Sequence, residues 1–321
     1  MANVGSAELV ITPPGDTLVR GEAMRVPVVL RLATPRRVRC IFACFRGAEE
    51  TKATYTTTHV NAKGHATTQI HTAVERVDIV QREWLLAGRE RRGCFGNLAD
   101  ALATLFGGGR HQRMTPGDYQ YEVELTVPPD APRTHKGDRS RVFYELTARV
   151  DIALGRDLRV RQAFSVMPLP RENVGARPVR VCYPDDAGRG LWSSLFEPDL
   201  RMELALDRDR VRRGETIRGS FHVETPKPLE VRLVQARLVG REQSEAHGHQ
   251  DTHRYESEPV PIHAPRLIAG SWSTEFSLPA EVVGPPTVKG KLFSIDWSVE
   301  VALDVPWAKD PTIRAPITLM S

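Results

Sequence analysis

Residues 290–304 read Gly290-Lys-Leu-Phe-Ser-Ile-Asp-Trp-Ser-Val-Glu-Val-Ala-Leu-Asp304. Ile295, Trp297, Val299, Val301, Leu303 and Val305 alternate with Asp296, Ser298, Glu300 and Asp304. A period of two puts the apolar side chains on one face of a strand and the polar ones on the other. The same block stands 153 residues earlier. Lys136-Gly137 falls on Lys289-Gly290, Tyr144 on Trp297, Asp151 on Asp304 and Asp157 on Asp310. Further out, residues 7–52 align with residues 200–245 at an offset of 193. Gly21-Glu22 falls on Gly214-Glu215, Pro35 on Pro228, Val38-Arg39 on Val231-Arg232, and Gly47 and Glu49 on Gly240 and Glu242. The chain is therefore two copies of one unit, the first longer by 193 − 153 = 40 residues. Internal repetition constrains the fold more than any single motif.

Alternation runs through the rest of the chain, as in Tyr121, Val123, Leu125 and Val127, or Tyr144, Leu146, Ala148, Val150 and Ile152. Gly and Pro, 24 of each, punctuate these runs as turns. Many short strands with frequent turn signals predict an all-β chain of two tandem immunoglobulin-like β-sandwiches. The predicted domains are residues 1–170, with an insertion at about 82–113, and residues 200–321, joined by a linker and loop at 171–199. Within the linker, Val179-Arg180-Val181 can add a short strand to either domain. Inside the insertion, Leu98, Leu102, Leu105 and Phe106 recur at helical spacing, with Asn97 as cap and Gly107-Gly108-Gly109 as stop, so one short helix is expected there.

Lys and Arg total 44 against 40 Asp and Glu, a net charge of +4. The charges are scattered rather than gathered in a basic stripe, which argues against nucleic acid as a partner. The start has no basic segment followed by an apolar run, so no secretory signal is expected. Four cysteines make no disulfide framework, and Cys40 and Cys44, four apart on one strand, are too distant to bridge. A cytoplasmic location follows as an expectation, with peripheral contact at the inner face of the membrane as its extension.

The order Gly-Glu, apolar strand, Pro, Val-Arg, Gly-x-Glu in both copies, together with residues 290–304 and Tyr144-Glu145-Leu146-Thr147-Ala148, resembles the arrestin fold. The type it resembles is that of α-arrestins, the arrestin-like subunit of the retromer coat and bacterial sporulation-control proteins. The resemblance implies two arrestin-type domains and a non-enzymatic adaptor or scaffold that grips partner proteins through loops and strand edges. The chain ends too early for the long C-terminal tail of visual and β-arrestins. It also lacks the Pro-Pro-x-Tyr sequence with which α-arrestins recruit ubiquitin ligases, so neither activity is carried over. The Arg-rich composition suggests a bacterial source.

No Gly-x-Ser-x-Gly elbow, phosphate loop, dinucleotide fingerprint or Cys-x-x-Cys occurs. No catalytic residue and no cofactor is predicted. The acid pairs Glu49-Glu50 and Asp185-Asp186 read as solvated turn charges. His247, His249 and His253 form a candidate metal set, because imidazoles two apart on a strand share a face. A solvated hairpin tip is the plainer reading. The insertion is the best functional candidate, with six arginines against three carboxylates. Trp84, Leu85, Arg89, Arg91, Arg92, Phe95, Leu98, Leu102, Leu105 and Phe106, with Trp192 and Phe196 from the linker, are the candidate partner- or lipid-binding residues. A basic amphipathic excursion suits a partner groove or anionic lipid; the competing reading is a helix that lies back on the sheet and completes the core.

Overall fold

The computed structural model describes residues 2–4, 6–60, 65–88, 112–153, 155–167, 175–183, 200–262, 266–282, 284–307 and 310–320. The predicted helix at 97–109 and most of the insertion lie outside these residues. The described residues are all-β and repeat strand for strand. The first half has β1 (Ala2–Val4), β2 (Ala7–Ile11), β3 (Thr17–Val19), β4 (Ala23–Leu32), β5 (Arg36–Val60) and β6 (Ala66–Gly88). It continues with β7 (Gln112–Met114), β8 (Gly117–Thr126), β9 (His135–Lys136), β10 (Ser140–Ile152) and β11 (Leu158–Met167). The second half has β12 (Val179–Tyr183), β13 (Arg201–Leu206), β14 (Arg210–Arg212), β15 (Thr216–Glu230), β16 (Leu233–Ala246) and β17 (His249–Glu256). Then come β18 (Val260–Ile262), β19 (Leu267–Pro279), β20 (Val288–Lys289), β21 (Phe293–Asp304) and β22 (Thr312–Met320).

Each half builds a small sheet, β1-β2-β4-β8 or β12-β13-β15-β19, and a large one, β3-β11-β10-β5-β6 or β14-β22-β21-β16-β17. The linker strand Val179–Tyr183 pairs with β13, so it joins the second half. Leu9, Val26, Val28, Leu30, Val123 and Leu125 of the small sheet are buried, as are Ile41, Ala43, Phe45, Leu146 and Ala148 of the large one. Alternation accounts for this two-layer core, because two sheets packed face to face each bury one face.

The repeat extends to single hydrogen bonds. Tyr144 lies against Gly47 and Trp297 against Gly240, where a Cβ would come within 2.7 Å of the indole. The Tyr144 hydroxyl donates to Pro132 O at 2.7 Å and Trp297 Nε1 donates to Pro285 O at 2.9 Å. These prolines are themselves equivalent. Gly21 and Gly214 take φ of 77° and 84° and donate to Val127 O and Ala280 O. Ile152 N donates to Asp157, as Val305 N does to Asp310.

The described residues form two compact units, 1–50 with 76–135 and 141–172, and 51–75 with 136–140 and 173–321. The second unit thus includes the outer part of the β5–β6 hairpin. Thr51 Oγ1 donates to Glu245 O at 2.6 Å, Ser244 Oγ to Lys52 O at 2.8 Å, and Thr54 N to Asp251 at 2.9 Å.

The surplus of the first half splits in two. β16 turns back after Ala246, through His247 and Gly248 with φ of 51° and 78°, the signature of a tight type I′ hairpin. Its counterpart β5 passes the equivalent residue, Ala53, and runs on to Val60. The rest is residues 89–111: Gln112 pairs with Val38 where Arg266 bonds to the equivalent Val231, so this segment falls between the counterparts of β18 and β19.

The glycine under each ring makes a sharp test. Gly240→Ala should lower the unfolding free energy by about 1–3 kcal/mol, the cost of overpacking a filled core, seen as an earlier urea midpoint. An unchanged midpoint would show that the indole can move aside.

Candidate functional site

The two ends of the insertion are rooted side by side on β5. β6 continues through Trp84 and Leu85 to Gly88, so those residues are strand rather than loop. Gly88 has φ of 95° and packs so tightly on the Arg39 carbonyl and Cys40 Cα that no Cβ fits. The chain returns as β7, with Gln112 paired to Val38 and Met114 to Arg36. Trp84 is half-buried and Leu85 is 40% exposed. Arg89, Arg91, Arg92, Phe95, Leu98, Leu102, Leu105, Phe106, Trp192 and Phe196 lie outside the described residues.

Beside the root is an open depression of about 700 Å³ lined by Arg39, Arg149, Asp151, Ile152, Gly155, Arg156 and Asp157. Arg39 Nη1 donates to Asp151 at 2.9 Å, and Arg149 donates to Asp157 through Nε at 3.2 Å and Nη2 at 2.5 Å. The Arg39–Asp151 pair recurs as Arg232–Asp304, with Arg232 Nε at 2.9 Å, whereas Arg149 replaces Ala302. The hydrogen bond to Asp157 holds the Arg149 guanidinium above its ordinary pKa despite burial. Three guanidiniums face two carboxylates, with exposed Arg156 turned to solvent. The lining offers charge and hydrogen bonds to an acidic group. It contains no hydroxyl, thiol or imidazole side chain.

Sequence reasoning missed the buried carboxylates. Glu49 and Glu50, expected as solvated turn charges, are only 1% and 8% exposed within β5. Burial is tolerable for Glu50 because Arg141 Nη2 lies at 2.6 Å and Arg76 donates from Nη2 at 2.5 Å, both guanidiniums also resting over Phe143. Glu300 is 1% exposed, and Arg237, Arg254 and Arg314 converge on it. Burial pushes its pKa up, but the hydrogen bonds from Arg314 and Arg237 prevail and hold it below the ordinary value. Glu242, fully buried, accepts from Asp138 N at 2.9 Å, Arg139 N at 3.1 Å, Ser140 Oγ at 2.5 Å and the Tyr255 hydroxyl at 2.5 Å. It packs so close to Gly137 that a side chain there would collide with it. The only signal in the sequence was the alignment of Glu49 with Glu242, which marks a position without saying that it is interior.

The histidines diverge. His247 Nε2 donates to Val74 O at 3.1 Å, and its backbone N donates to Glu75. His249 stacks on Tyr55 at 3.7 Å, and His253 Nδ1 lies 3.4 Å from Asp138. His249 and His253, four residues apart on β17, are separated by about 13 Å along the strand, too far to share an ion. Among the described residues, no three His, Cys, Asp or Glu side chains gather as metal ligands. Cys40 is buried, Cys44 half-buried, Cys182 exposed, and none is bridged. Burial and then Glu83 push the Cys44 thiol up.

Glu50 sets an acid-side test. The Arg141 hydrogen bond, followed by that of Arg76, outweighs burial and lowers its pKa from 4.5 to about 2. The stability it contributes is fully present above 4.5 and lost as pH falls through about 2. Denaturation midpoints between those limits should fall less steeply in Glu50→Gln than in the native chain.

Residues 14–172 match the family model described as Arrestin (or S-antigen), N-terminal domain. A comparison with curated proteins returned no match. The matched span runs from the turn after β2 to just past β11, nearly the whole first sandwich. With the same strand order repeated in residues 175–320, the chain belongs to the arrestin-like family.

Proposed function

We propose that this chain is a non-enzymatic adaptor that binds partner proteins through its strand edges and central loops. An adaptor or scaffold role is what an arrestin-family domain supports in general. The observation that carries the reading is the departure of the first copy from the repeat. Where one of two matched domains alone gains an excursion, the excursion is the element free to acquire a partner. The insertion leaves β6 at a glycine clamped on β5 and returns on the same strand, which gives a recognition element a rigid base. The charged depression beside that base suits an acidic segment of the partner. We place the protein in the cytoplasm on the cysteine pattern of its sequence.

A second reading has its own support. Trp307 is fully exposed at a φ of 63° in the turn after β21. Leu233 pairs with Asp304, and Val231 N bonds to Arg266 O, so the exposed Leu233 and Leu267 belong to the same end of the second unit. Arg232 and Arg266 flank them. Exposed tryptophan and leucine beside arginine fit the interface of an anionic lipid surface.

An affinity capture from native lysate should compare the full chain with a version in which a short turn replaces residues 89–111. A partner retained by the full chain and lost with the deletion supports the adaptor reading, provided the deletion melts like the native chain. Identical captures would remove the insertion from recognition. For lipid, the full chain should cosediment with phosphatidylserine vesicles at low salt and be released by high salt. Trp307→Ala should weaken binding by roughly tenfold; no binding at low salt would dismiss the lipid reading.

A further inference from the structure

The extended hairpin is the described segment that most clearly breaks the repeat. β6 is the end strand of its sheet over 23 residues, whereas its counterparts β17 and β18 have 8 and 3. Long edge strands are ordinarily guarded by proline, lysine, bulges or a covering loop, because their unpaired N–H and C=O groups template another strand. β6 contains neither proline nor lysine. Between Ala66 and Val74 its only titratable side chain is His71, which is turned to the other face, bonded to Thr57 at 2.9 Å and stacked on Tyr55.

Beyond Lys52, the described residues on the solvent face of this hairpin are uncharged. That face presents Ala66, Thr68, Ile70, Thr72 and Val74 of β6, beside Thr56, Thr58 and Val60 of β5. Ile70 is 73% exposed and Val60 66%. The direction of the free backbone groups follows from one contact. The Val74 carbonyl accepts from His247 of the β16–β17 turn, so it points away from β5. Backbone direction alternates along a strand, so Thr72, Ile70 and Thr68 also present their N–H and C=O groups outward. Among the described residues no strand pairs with this side of β6, and the His247 contact at Val74 leaves residues 66–73 as the edge.

We propose that residues 66–73 of β6 pair antiparallel with the same residues of a second copy, about a twofold axis at Ile70. The sequence Thr67-Thr68-Gln69-Ile70-His71-Thr72-Ala73 is close to self-complementary in that register. Ile70 faces Ile70, Thr68 faces Thr72, and Gln69 faces His71. Threonine pairs and aliphatic pairs are favourable cross-strand neighbours, and no like charges are opposed. The pairing is isologous and closed, so it consumes both edges at once and goes no further. An extended strand from another protein would use the same backbone groups. The self-complementary register is what favours a second copy.

Sedimentation velocity of the full chain over a concentration series tests this. The native protein should move from the mass of one 35.8 kDa chain toward twice that value as concentration rises. Ile70→Lys places two ammonium groups together at the axis and should weaken dimerisation by on the order of a hundredfold. Ile70→Glu should do the same, and an equal mixture of the two variants should recover the dimer. Ile70 is largely exposed, so the melting curves of both variants should match the native one; Thr68→Lys, on the same face, replaces either that unfolds. A native chain that stays monomeric throughout overturns the proposal. So does a dimer that survives Ile70→Lys, or a mixture that stays monomeric.

Discussion

A large ring laid flat on a glycine, with its polar tip tied to a proline carbonyl, organises each half of this chain. Tyr144 does this over Gly47 and Trp297 over Gly240. A buried hydroxyl or indole N–H without an acceptor would cost about 1–3 kcal/mol, a sizeable part of what burying the ring contributes. The proline that follows the small-sheet edge strand must therefore stop where its carbonyl meets the ring. The neighbouring strand must give up its side chain to make room. These demands link the small sheet, the loop before β9 or β20 and the centre of the large sheet. Gly240 pairs directly with Trp297, so the same contact helps hold the register of β16 on β21.

Around that apolar centre, buried carboxylates do different kinds of work. Glu50 and Glu300 are charges compensated by other charges, through two and three arginines respectively. Glu242 is compensated by dipoles, namely two backbone N–H groups and two hydroxyls. The last arrangement holds residues 136–140 in the second compact unit, a local turn recruited by one side chain. Removing a single partner from such a site is costly, because the remaining group stays buried and unpaired. Such groups specify where a segment goes more than they add net stability.

Duplication also separates scaffold from addition. What both halves share serves packing and turn geometry: the positive-φ glycines, the aspartates that accept from the turn after β10 or β21, and the rings on glycine. What only the first half carries, the long hairpin and residues 89–111, has no packing role dictated by the repeat. A rigid sandwich can present a loop or an edge without reorganising its core.

The duplication, the all-β class and the arrestin resemblance were all legible in residue order, because a half-buried strand must alternate and a turn must use glycine or proline. Val38-Arg39 and Gly47 could be matched to their partners by spacing alone. Glu49-Glu50 could not be read correctly: a carboxylate looks solvated until the arginines that surround it are known, and Arg76 and Arg141 are distant in sequence. Spacing likewise gathered His247, His249 and His253, while the chain's fold sent one to a turn, one onto Tyr55 and one beside Asp138. The insertion was visible as surplus length, but its division into a strand extension and a rooted excursion was not. Local pattern determines which side chains share a face of an element. Which elements meet, and hence which buried charges find partners and which edges stay free, depends on contacts between residues far apart in the chain, and only the tertiary structure decides those.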